Sequence, residues 1–248
     1  MLETIYGKQP VREALRVGRR VRRVLVAANA RETPGLRDVL ALATTRGVPV
    51  LRVDRAQLDR LGDHHQGVAA EVEPYDYANF SELLYAARAA RPPLYLILDT
   101  LQDPQNFGSL LRTAAAVGVA GVVMPEHRAV SVTPAVCRAS AGAVEHLRIA
   151  RVTNLARALE QLKAAGVWVV GLAPGASERY DAIDARGPTA VVVGGEAQGL
   201  RRLVREACDF LVVIPMEPTV ESLNAAVAGS IVLYEYYRQR LRAVPGGR

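Results

Sequence analysis

The sequence predicts an α/β protein of two domains, the second built on a parallel β-sheet. Half of the 248 residues are hydrophobic and 23% are charged, which is a globular composition and not that of a disordered or fibrous protein. Short apolar runs alternate with segments in which apolar residues recur at helical spacing. In the second part of the chain these runs are apolar throughout, as in strands covered on both faces of a sheet. These observations indicate a layered α/β architecture.

The first 75 residues are predicted to form a small alternating domain. Apolar spacing predicts helices over 10–17, 35–45 and 55–61. Runs rich in β-branched residues predict strands over 21–26, 48–53 and 68–72. Residues 76–93 change to a polar-aromatic and proline-containing sequence, with a helix predicted over 80–90 and capped by Asn79 or Ser81. We interpret this stretch as a linker.

The second domain is predicted to be a parallel sheet with helices on both faces. Five apolar runs predict its strands, over 94–98, 119–124, 167–172, 189–193 and 210–214. Helices are predicted over 107–117, 155–165, 200–207 and, at the end of the chain, 222–241. Because ligands of such sheets bind outside the carboxyl ends of the strands, the loops at those ends are the first place to look for a site.

The charge balance favours a polyanionic partner. There are 31 basic and 25 acidic residues, a surplus of 31 − 25 = +6, and Lys8 and Lys163 are the only lysines. Arginine offers phosphate a planar fork of donors, so this composition suits RNA. A G+C-rich genome, which favours arginine codons throughout, explains the composition equally well.

The two cysteines exclude a disulfide scaffold. Neither Cys137 nor Cys208 lies in a Cys-x-x-Cys motif or a Cys/His cluster, so no structural zinc site is predicted either, and the chain is expected to be a reduced, cytoplasmic protein. No run of 18 apolar residues occurs, and the N-terminus lacks the apolar core of a signal peptide. We therefore expect neither membrane insertion nor secretion.

The loop after the first strand of the second domain carries two polar side chains that a connector does not require. Asn106 is predicted to open the next helix, and Arg112 lies almost two turns further along it. Taken alone, Asn106 can be a helix cap and Arg112 a solvated helix residue.

The loop at 194–199 is rich in glycine and lies between a strand and a helix. Backbone N–H groups can approach a ligand closely in such a turn. No Gly-Lys-Ser/Thr follows, and Glu196 interrupts the Gly-x-Gly-x-x-Gly pattern, so this is not a standard phosphate-binding loop. A carboxylate would repel pyrophosphate, which makes ATP and NAD poor ligands. Taken alone, the loop can also be a turn with a capping Glu196.

The segment 214–224 connects the last strand to the last helix. Ser222 can be the cap of that helix and Asn224 a residue of its first turn. In a parallel sheet, however, all three loops can meet at one edge. They would then form a polar, charge-complementary pocket from Asn106, Arg112, Glu196, Ser222 and Asn224.

The order and spacing of these motifs resemble the SpoU (TrmH-like) branch of the SPOUT RNA 2′-O-ribose methyltransferases. The matching motifs are Asn106-x-Gly108-x-x-x-Arg112, Gly194-x-Glu196-x-x-Gly199 and Ile214-Pro215-Met216 with Ser222-Leu223-Asn224. Upstream, residues 5–7, 12–15 and 65–68 are similar to the substrate-binding domain of bacterial enzymes that methylate a guanosine in 23S ribosomal RNA.

The resemblance implies S-adenosylmethionine as the cofactor, bound in a trefoil knot of the C-terminal domain. By position, the cofactor is expected to contact Leu172, Ala173, Gly195, Ile214, Met216 and Leu223. A sulfonium methyl donor needs no metal, so no metal ion is expected. The implied reaction is methyl transfer to a ribose 2′-hydroxyl, with a catalytic set of Asn106, Arg112, Glu196, Ser222 and Asn224.

The resemblance also implies an RNA substrate. Residues 1–75 would be the RNA substrate-binding domain, 76–93 the linker and 94–248 the methyltransferase domain. The expected RNA contacts are Arg19, Arg20, Arg22 and Arg23, a run that can also be a charged strand edge in solvent. The expected substrate is a guanosine of 23S ribosomal RNA, and the expected assembly is a homodimer. The alternatives are a tRNA 2′-O-methyltransferase, a non-catalytic RNA-binding protein of the same fold, and an α/β enzyme with a nucleotide cofactor.

Overall fold

The computed structural model describes residues 2–86, 92–127, 129–196, 198–219 and 222–243, which form two compact units. Unit 1 contains Met1–Asp76 and Ser131–His146, and unit 2 contains Tyr77–Val130 and Leu147–Arg248. The predicted α/β class is confirmed. Within the described ranges, no helix combines the length and the apolar character that a membrane span requires.

The strands are β1 (Glu3–Tyr6), β2 (Val21–Ala27), β3 (Val50–Val53), β4 (Val68–Val72), β5 (Leu94–Asp99), β6 (Gly121–Pro125), β7 (Ile149–Val152), β8 (Trp168–Leu172), β9 (Glu178–Arg179), β10 (Thr189–Gly194) and β11 (Phe210–Val213). The helices are α1 (Lys8–Val17), α2 (Pro34–Thr45), α3 (Arg55–Asp59), α4 (Phe80–Ala86), α5 (Pro104–Ala116), α6 (Pro134–Ala139), α7 (Leu155–Ala164), α8 (Arg202–Glu206) and α9 (Ala225–Ala243). Residues 87–90 of the helix predicted over 80–90 lie outside the described residues.

Unit 1 is built on a four-stranded sheet in the order β1-β4-β2-β3. The pairs β1–β4 and β4–β2 are antiparallel, and β2–β3 is parallel. The segment 131–146, which the sequence analysis assigned to the second domain, belongs to this unit. Arg19 Nη1 lies 2.7 Å from Glu145 Oε1, and the two side chains are only 7% and 3% exposed. A buried ion pair between segments so far apart in the sequence leaves no trace in local periodicity.

Unit 2 is built on a seven-stranded sheet in the order β7-β6-β5-β10-β8-β11-β9, and all its pairs are parallel. All residues of β5, β6 and β10 are buried, as the apolar runs predicted. One face is covered by α4, α7 and α8, whose buried residues include Leu83, Leu159 and Val204. The other face is covered by α5 and α9.

Candidate functional site

A cavity of about 570 Å³ opens in unit 2 beyond the carboxyl ends of β10, β8 and β11, which are neighbours in the sheet. Its wall combines those strand ends with the loop at 194–199 and the start of α9. The cavity thus occupies the position at which open parallel sheets bind their ligands.

The predicted site residues gather at this cavity. All six residues expected to contact a cofactor line it: Leu172, Ala173, Gly195, Ile214, Met216 and Leu223. Of the predicted catalytic set, Glu196, Ser222 and Asn224 line it too. Residues from four separate stretches of sequence therefore meet in one wall, and these stretches include two of the three motif loops, 194–199 and 214–224.

A chain of hydrogen bonds connects the three motif loops. Asn224 Nδ2 donates to Asn106 Oδ1 over 2.9 Å, and Asn106 Nδ2 donates to Glu196 Oε1. The donor and acceptor roles in this series of hydrogen bonds are fixed at both of its ends. A carboxylate only accepts hydrogen bonds, and Asn224 Oδ1 is already occupied by the backbone N–H groups of Ala226 and Val227. Each amide can therefore be satisfied in one orientation only.

Helix capping positions both asparagines, although not as the sequence suggested. Asp103, and not Asn106, caps α5, because its side chain accepts the Asn106 N–H over 2.8 Å, and Pro104 occupies the first helical position. Asn106 is therefore a residue of the first turn, with its side chain free to bind Glu196. Asn224, and not Ser222, caps α9. Ser222 is exposed in the cavity wall.

Arg112 is not brought into this chain of hydrogen bonds. Its side chain is exposed on α5, and it has no hydrogen bond or ion pair with the described part of the protein. The separation of six positions between Asn106 and Arg112 corresponds to about 9 Å along the helix axis and about 240° around it. Arg112 is therefore separated from the amide pair along the helix, and its guanidinium is available to an external ligand.

The cavity wall is mainly apolar, and the charge on its described residues is negative. Among the described residues that line the cavity, Glu196 is acidic and none is basic. Apolar side chains such as Leu172, Ile214 and Leu223 suit a flat ring or an alkyl chain. A lone carboxylate attracts a cationic group and repels polyphosphates. The cavity can therefore hold a ligand with an apolar ring system and a positive charge.

Glycine is required where the loop at 194–199 folds back on itself. A Cβ atom at Gly194 would lie 2.3 Å from the carbonyl carbon of Gly199, and one at Gly195 would lie 2.9 Å from the carbonyl oxygen of Thr100. Real Cβ atoms do not come so close to backbone. The glycines thus allow close backbone packing beside the cavity.

The four arginines expected to bind RNA separate into different environments in unit 1. Arg19 is an internal residue, bound to Glu145, Glu3 and the Glu73 carbonyl oxygen. Burial raises the pKa of the Glu145 carboxyl, and the Arg19 guanidinium opposes that rise. Arg19 therefore stabilises the unit and is not part of an exposed basic surface, which corrects the expectation for this residue.

The other three arginines remain on the surface. Arg20 is exposed and lies 3.4 Å from a Glu73 carboxylate oxygen, and Arg22 is exposed. Arg23 pairs with Glu71 across the sheet, and this partner raises the pKa of its guanidinium. Arg20, just before β2, and Arg22, within it, are exposed, whereas Val21 and Arg23 are half-buried. Arg20 and Arg22 are therefore the members of the run best placed for a phosphate.

The sequence patterns did not identify Asp99 and Arg201, two residues next to the cavity. Asp99, at the end of β5, is fully buried and bonds to Arg201, which follows the glycine-rich loop. The available signal was an acidic residue directly after five apolar ones at a predicted strand end.

Two family models match the chain. Residues 93–234 match the SpoU rRNA Methylase family, and residues 4–78 match the RNA 2′-O ribose methyltransferase substrate binding family. YacO of Bacillus subtilis (strain 168), a protein assigned to the TrmH family of tRNA/rRNA methyltransferases, is 44% identical over 238 residues, 95% of this chain and 95% of its own length.

Solved structures are similar as well. The SpoU methyltransferase AviRb from Streptomyces viridochromogenes, in complex with AdoMet, has a TM-score of 0.81 and 26% identity over 96% of this chain and 90% of its own. An AdoMet-bound rRNA methyltransferase from Sinorhizobium meliloti has a TM-score of 0.77 and 27% identity over 96% of this chain and 87% of its own.

A shorter relative offers a contrast. The TrmH/SpoU tRNA modifying enzyme of A. aeolicus has a TM-score of 0.56 and 28% identity, and it covers 66% of this chain and 83% of its own. The longer similarities and the two family models span both units. The chain therefore belongs to the SpoU family of RNA methyltransferases.

Proposed function

We propose that the protein transfers a methyl group from S-adenosylmethionine to a ribose 2′-hydroxyl of structured RNA, and that its target is a guanosine of 23S ribosomal RNA. The observation that carries the proposal is the cavity at the sheet edge, whose wall joins apolar strand ends to the Asn224–Asn106–Glu196 hydrogen-bond chain. A ribosomal RNA substrate implies that the protein works in the cytoplasm.

The lining of the cavity fits S-adenosylmethionine. Leu172, Ile214 and Leu223 would hold the adenine and the methionine chain, and Gly195 leaves room for backbone contact. The Glu196 carboxylate complements the positive charge of a sulfonium, whereas it would repel the phosphates of a nucleotide cofactor. When bound, the cofactor supplies an activated methyl group, and this chemistry needs no metal ion.

Side chains of the protein would prepare the ribose 2′-oxygen for methyl transfer. A ribose hydroxyl is a weak acid, so the protein must position it and stabilise the negative charge that develops on it. The Arg112 guanidinium offers hydrogen-bond donors and no acceptor, so it acts as a cation and not as a base. We assign to Arg112 the RNA phosphate and the developing alkoxide. Asn106 and Asn224 would orient the hydroxyl, with Ser222 beside them, and Glu196 would accept a hydrogen bond. The hydroxyl proton would pass to an acceptor other than Arg112, such as water or an RNA phosphate oxygen.

One observation favours ribosomal RNA over tRNA, and two others support an RNA substrate of either kind. The rRNA methyltransferase of S. meliloti is similar over 96% of this chain, but the tRNA modifying enzyme of A. aeolicus only over 66%. A substrate-binding family model matches residues 4–78. The exposed Arg20 and Arg22 of that unit are suited to phosphate contact. tRNA remains the alternative substrate.

The proposal includes a homodimer. In unit 2, α9 exposes 48% of Val227 and 61% of Tyr234, and the Tyr234 and Tyr237 rings lie 6.0 Å apart. Large apolar side chains on one exposed helix are typical of a protein interface. Sedimentation equilibrium should give twice the chain mass of 26.7 kDa, and a single-chain mass at micromolar concentration would contradict this part of the proposal.

The substrate can be tested directly. Purified protein is incubated with S-adenosylmethionine labelled in its methyl group and with 23S ribosomal RNA, 16S ribosomal RNA or bulk tRNA, all from a strain that lacks the gene. We expect label in 23S RNA, at one 2′-O-methylguanosine that is also missing from the RNA of the deletion strain. Label in tRNA alone would replace the proposed substrate by the alternative, and no transfer to any RNA would favour a non-catalytic RNA-binding protein.

A further inference from the structure

The carboxyl end of β5 carries a buried carboxylate that the reaction proposed above does not use. Asp99 is the last residue of β5 and lies opposite Gly194 of β10 in the sheet register. Its side chain is fully buried. Oδ2 accepts the backbone N–H of Arg201 over 2.8 Å, and Oδ1 accepts Arg201 Nε over 2.6 Å. A single residue, Arg201, therefore holds both oxygens of the buried carboxylate.

Arg201 ends the loop that forms one wall of the cavity. The lining residues of this loop are Gly194, Gly195, Glu196, Gln198 and Gly199. The Gly199 N–H donates to the Gly195 carbonyl oxygen over 2.9 Å, which closes the loop on itself. Strand pairing of β10 fixes the beginning of the loop, and Asp99 fixes its end. The conformation between those two points determines where Glu196 lies relative to Asn106.

A second contact ties the same strand end to the loop. Thr100, which follows Asp99, has a left-handed backbone with φ of 63°, a conformation that non-glycine residues adopt only when their surroundings hold them there. Its carbonyl oxygen occupies the space beside Gly195, 2.9 Å from where a Cβ atom would stand. The end of β5 thus contacts the loop near its start through Thr100 and at its end through Asp99.

We propose that Asp99 and Arg201 are positioning residues, which hold the glycine-rich loop in the conformation that binds the cofactor and presents Glu196 to Asn106. The proposal rests on the function proposed above, because it assigns the cavity to S-adenosylmethionine. Neither residue lines the described cavity wall, so both act through the loop. Charge-assisted hydrogen bonds with two fixed donors suit this role, because they restrict direction as well as distance.

The test truncates Arg201 and compares it with its neighbour. Arg201→Ala removes a guanidinium whose side chain is 42% exposed, and it leaves the backbone N–H contact to Asp99 in place. Arg202→Ala is the matched control, because it removes an equal charge from a side chain whose partner among the described residues is Glu206, also on α8. We expect Arg201→Ala to weaken S-adenosylmethionine binding about tenfold in calorimetry and to lower kcat about tenfold, as the loss of a charged hydrogen bond implies. KM for RNA and all constants of Arg202→Ala should stay within about twofold.

Hydrogen exchange provides a readout that does not depend on activity. The Gly199 amide, which closes the loop, should exchange faster in Arg201→Ala than in Arg202→Ala or the wild type. Asp99→Asn/Arg201→Ala should bind the cofactor no more weakly than Arg201→Ala alone, because the two side chains act as one unit. Equal cofactor affinity and equal Gly199 exchange in the two single variants would overturn the proposal. If the wild type itself bound no S-adenosylmethionine, the proposed function would fail, and the exchange of Gly199 alone would decide whether the anchor exists.

Discussion

Asn224 performs two tasks with the two ends of one amide. Its oxygen caps α9 through the N–H groups of Ala226 and Val227, and its nitrogen donates to Asn106. Spacing in the sequence suggested that Asn224 is a first-turn residue or a member of the pocket, and it assigned the cap to Ser222. The structure shows how they depend on each other, since the capped oxygen forces the nitrogen towards Asn106.

This dual role predicts that Asn224→Asp separates function from stability. Aspartate caps a helix as well as asparagine does, so the free energy of unfolding should change by less than about 0.5 kcal/mol. The donor to Asn106 is lost, however, and a negative charge is added beside the Asn106 carbonyl oxygen, which should lower kcat by about tenfold to a hundredfold. Asn224→Ala, which loses the cap as well, should also unfold about 1 kcal/mol more easily. Full activity of Asn224→Asp in the methyl-transfer assay would contradict the role of the amide chain.

Arg112 is the residue whose importance rests most on the sequence motif and least on contacts within the chain. It is exposed and lies away from the amide pair, so its removal should not disturb the cavity. We expect Arg112→Ala to lower kcat by about a hundredfold to a thousandfold, as for other charge-stabilising donors, and to leave the calorimetric affinity for S-adenosylmethionine unchanged. Arg157→Ala, on the exposed side of α7, is the control. Normal turnover by Arg112→Ala would remove the assignment.

At the scale of the elements, apolar runs located the central strands well. The predicted strand over 68–72 coincides with β4, and five predicted runs correspond to β5, β6, β8, β10 and β11. The short edge strands β1, β7 and β9 were missed, because two to four residues are too few to show an apolar period. A helix start was predicted too late where the capping residue precedes the apolar period. For example, α5 begins at Pro104 after its cap Asp103, and not at residue 107. The packing of 131–146 with unit 1 depends on tertiary contacts, which local pattern does not show.

The packing of α9 depends on one glycine. A Cβ atom at Gly229 would lie 2.9 Å from Val193 Cγ2 and 3.0 Å from Leu110 Cδ1, so α9 can approach β10 and α5 closely only without a side chain there. This approach brings the start of α9, with Asn224, over the cavity. Sequence periodicity predicted the helix but gave no indication of how near to the sheet it lies.

Gly229→Val should therefore weaken both folding and cofactor binding. Overpacking of this kind costs about 1–3 kcal/mol, because Val193 is held in the sheet and cannot move aside. Urea denaturation followed by circular dichroism should show that loss, and calorimetry should show a higher Kd for S-adenosylmethionine. Gly187→Val is the matched control, since a Cβ atom there would meet no atom within 4 Å. Equal stability of the two variants would show that α9 does not need the close contact.

At the scale of the whole molecule, the sequence predicted two domains and the gathering of three distant loops, but not the content of unit 1. Convergence could be inferred because parallel strands place their carboxyl ends at one edge. The hydrogen bonds between Asn106, Glu196 and Asn224 could not, since they require side-chain directions that spacing does not fix. Likewise, the four arginines of the run 19–23 look equivalent in the sequence, although the side chain of Arg19 is buried. The trefoil knot stays a prediction from the family resemblance.

Both units contain one free thiol, and together these thiols make the stability of the molecule depend on alkaline pH. Cys137 lies in unit 1 and Cys208 in unit 2, and burial raises the pKa of each to about 12, from an ordinary value of 9.0. The folded protein thus keeps its thiols protonated while the unfolded chain begins to lose those protons above pH 9. Stability contributed by the neutral thiols is complete below pH 9 and is lost as the pH rises from 9 towards 12.

We therefore expect the free energy of unfolding to fall by about 1 kcal/mol per thiol between pH 8 and pH 10, measured by urea denaturation with a non-thiol reductant present. The phenol of Tyr95, which donates to the Leu83 carbonyl oxygen and whose pKa burial also raises to about 12, adds to the loss only above pH 10. Cys137→Ala and Cys208→Ala should each start from a somewhat lower stability but lose less of it between the two pH values, and the double variant should be nearly flat. A double variant as sensitive to pH as the wild type would mean that other groups control the alkaline transition.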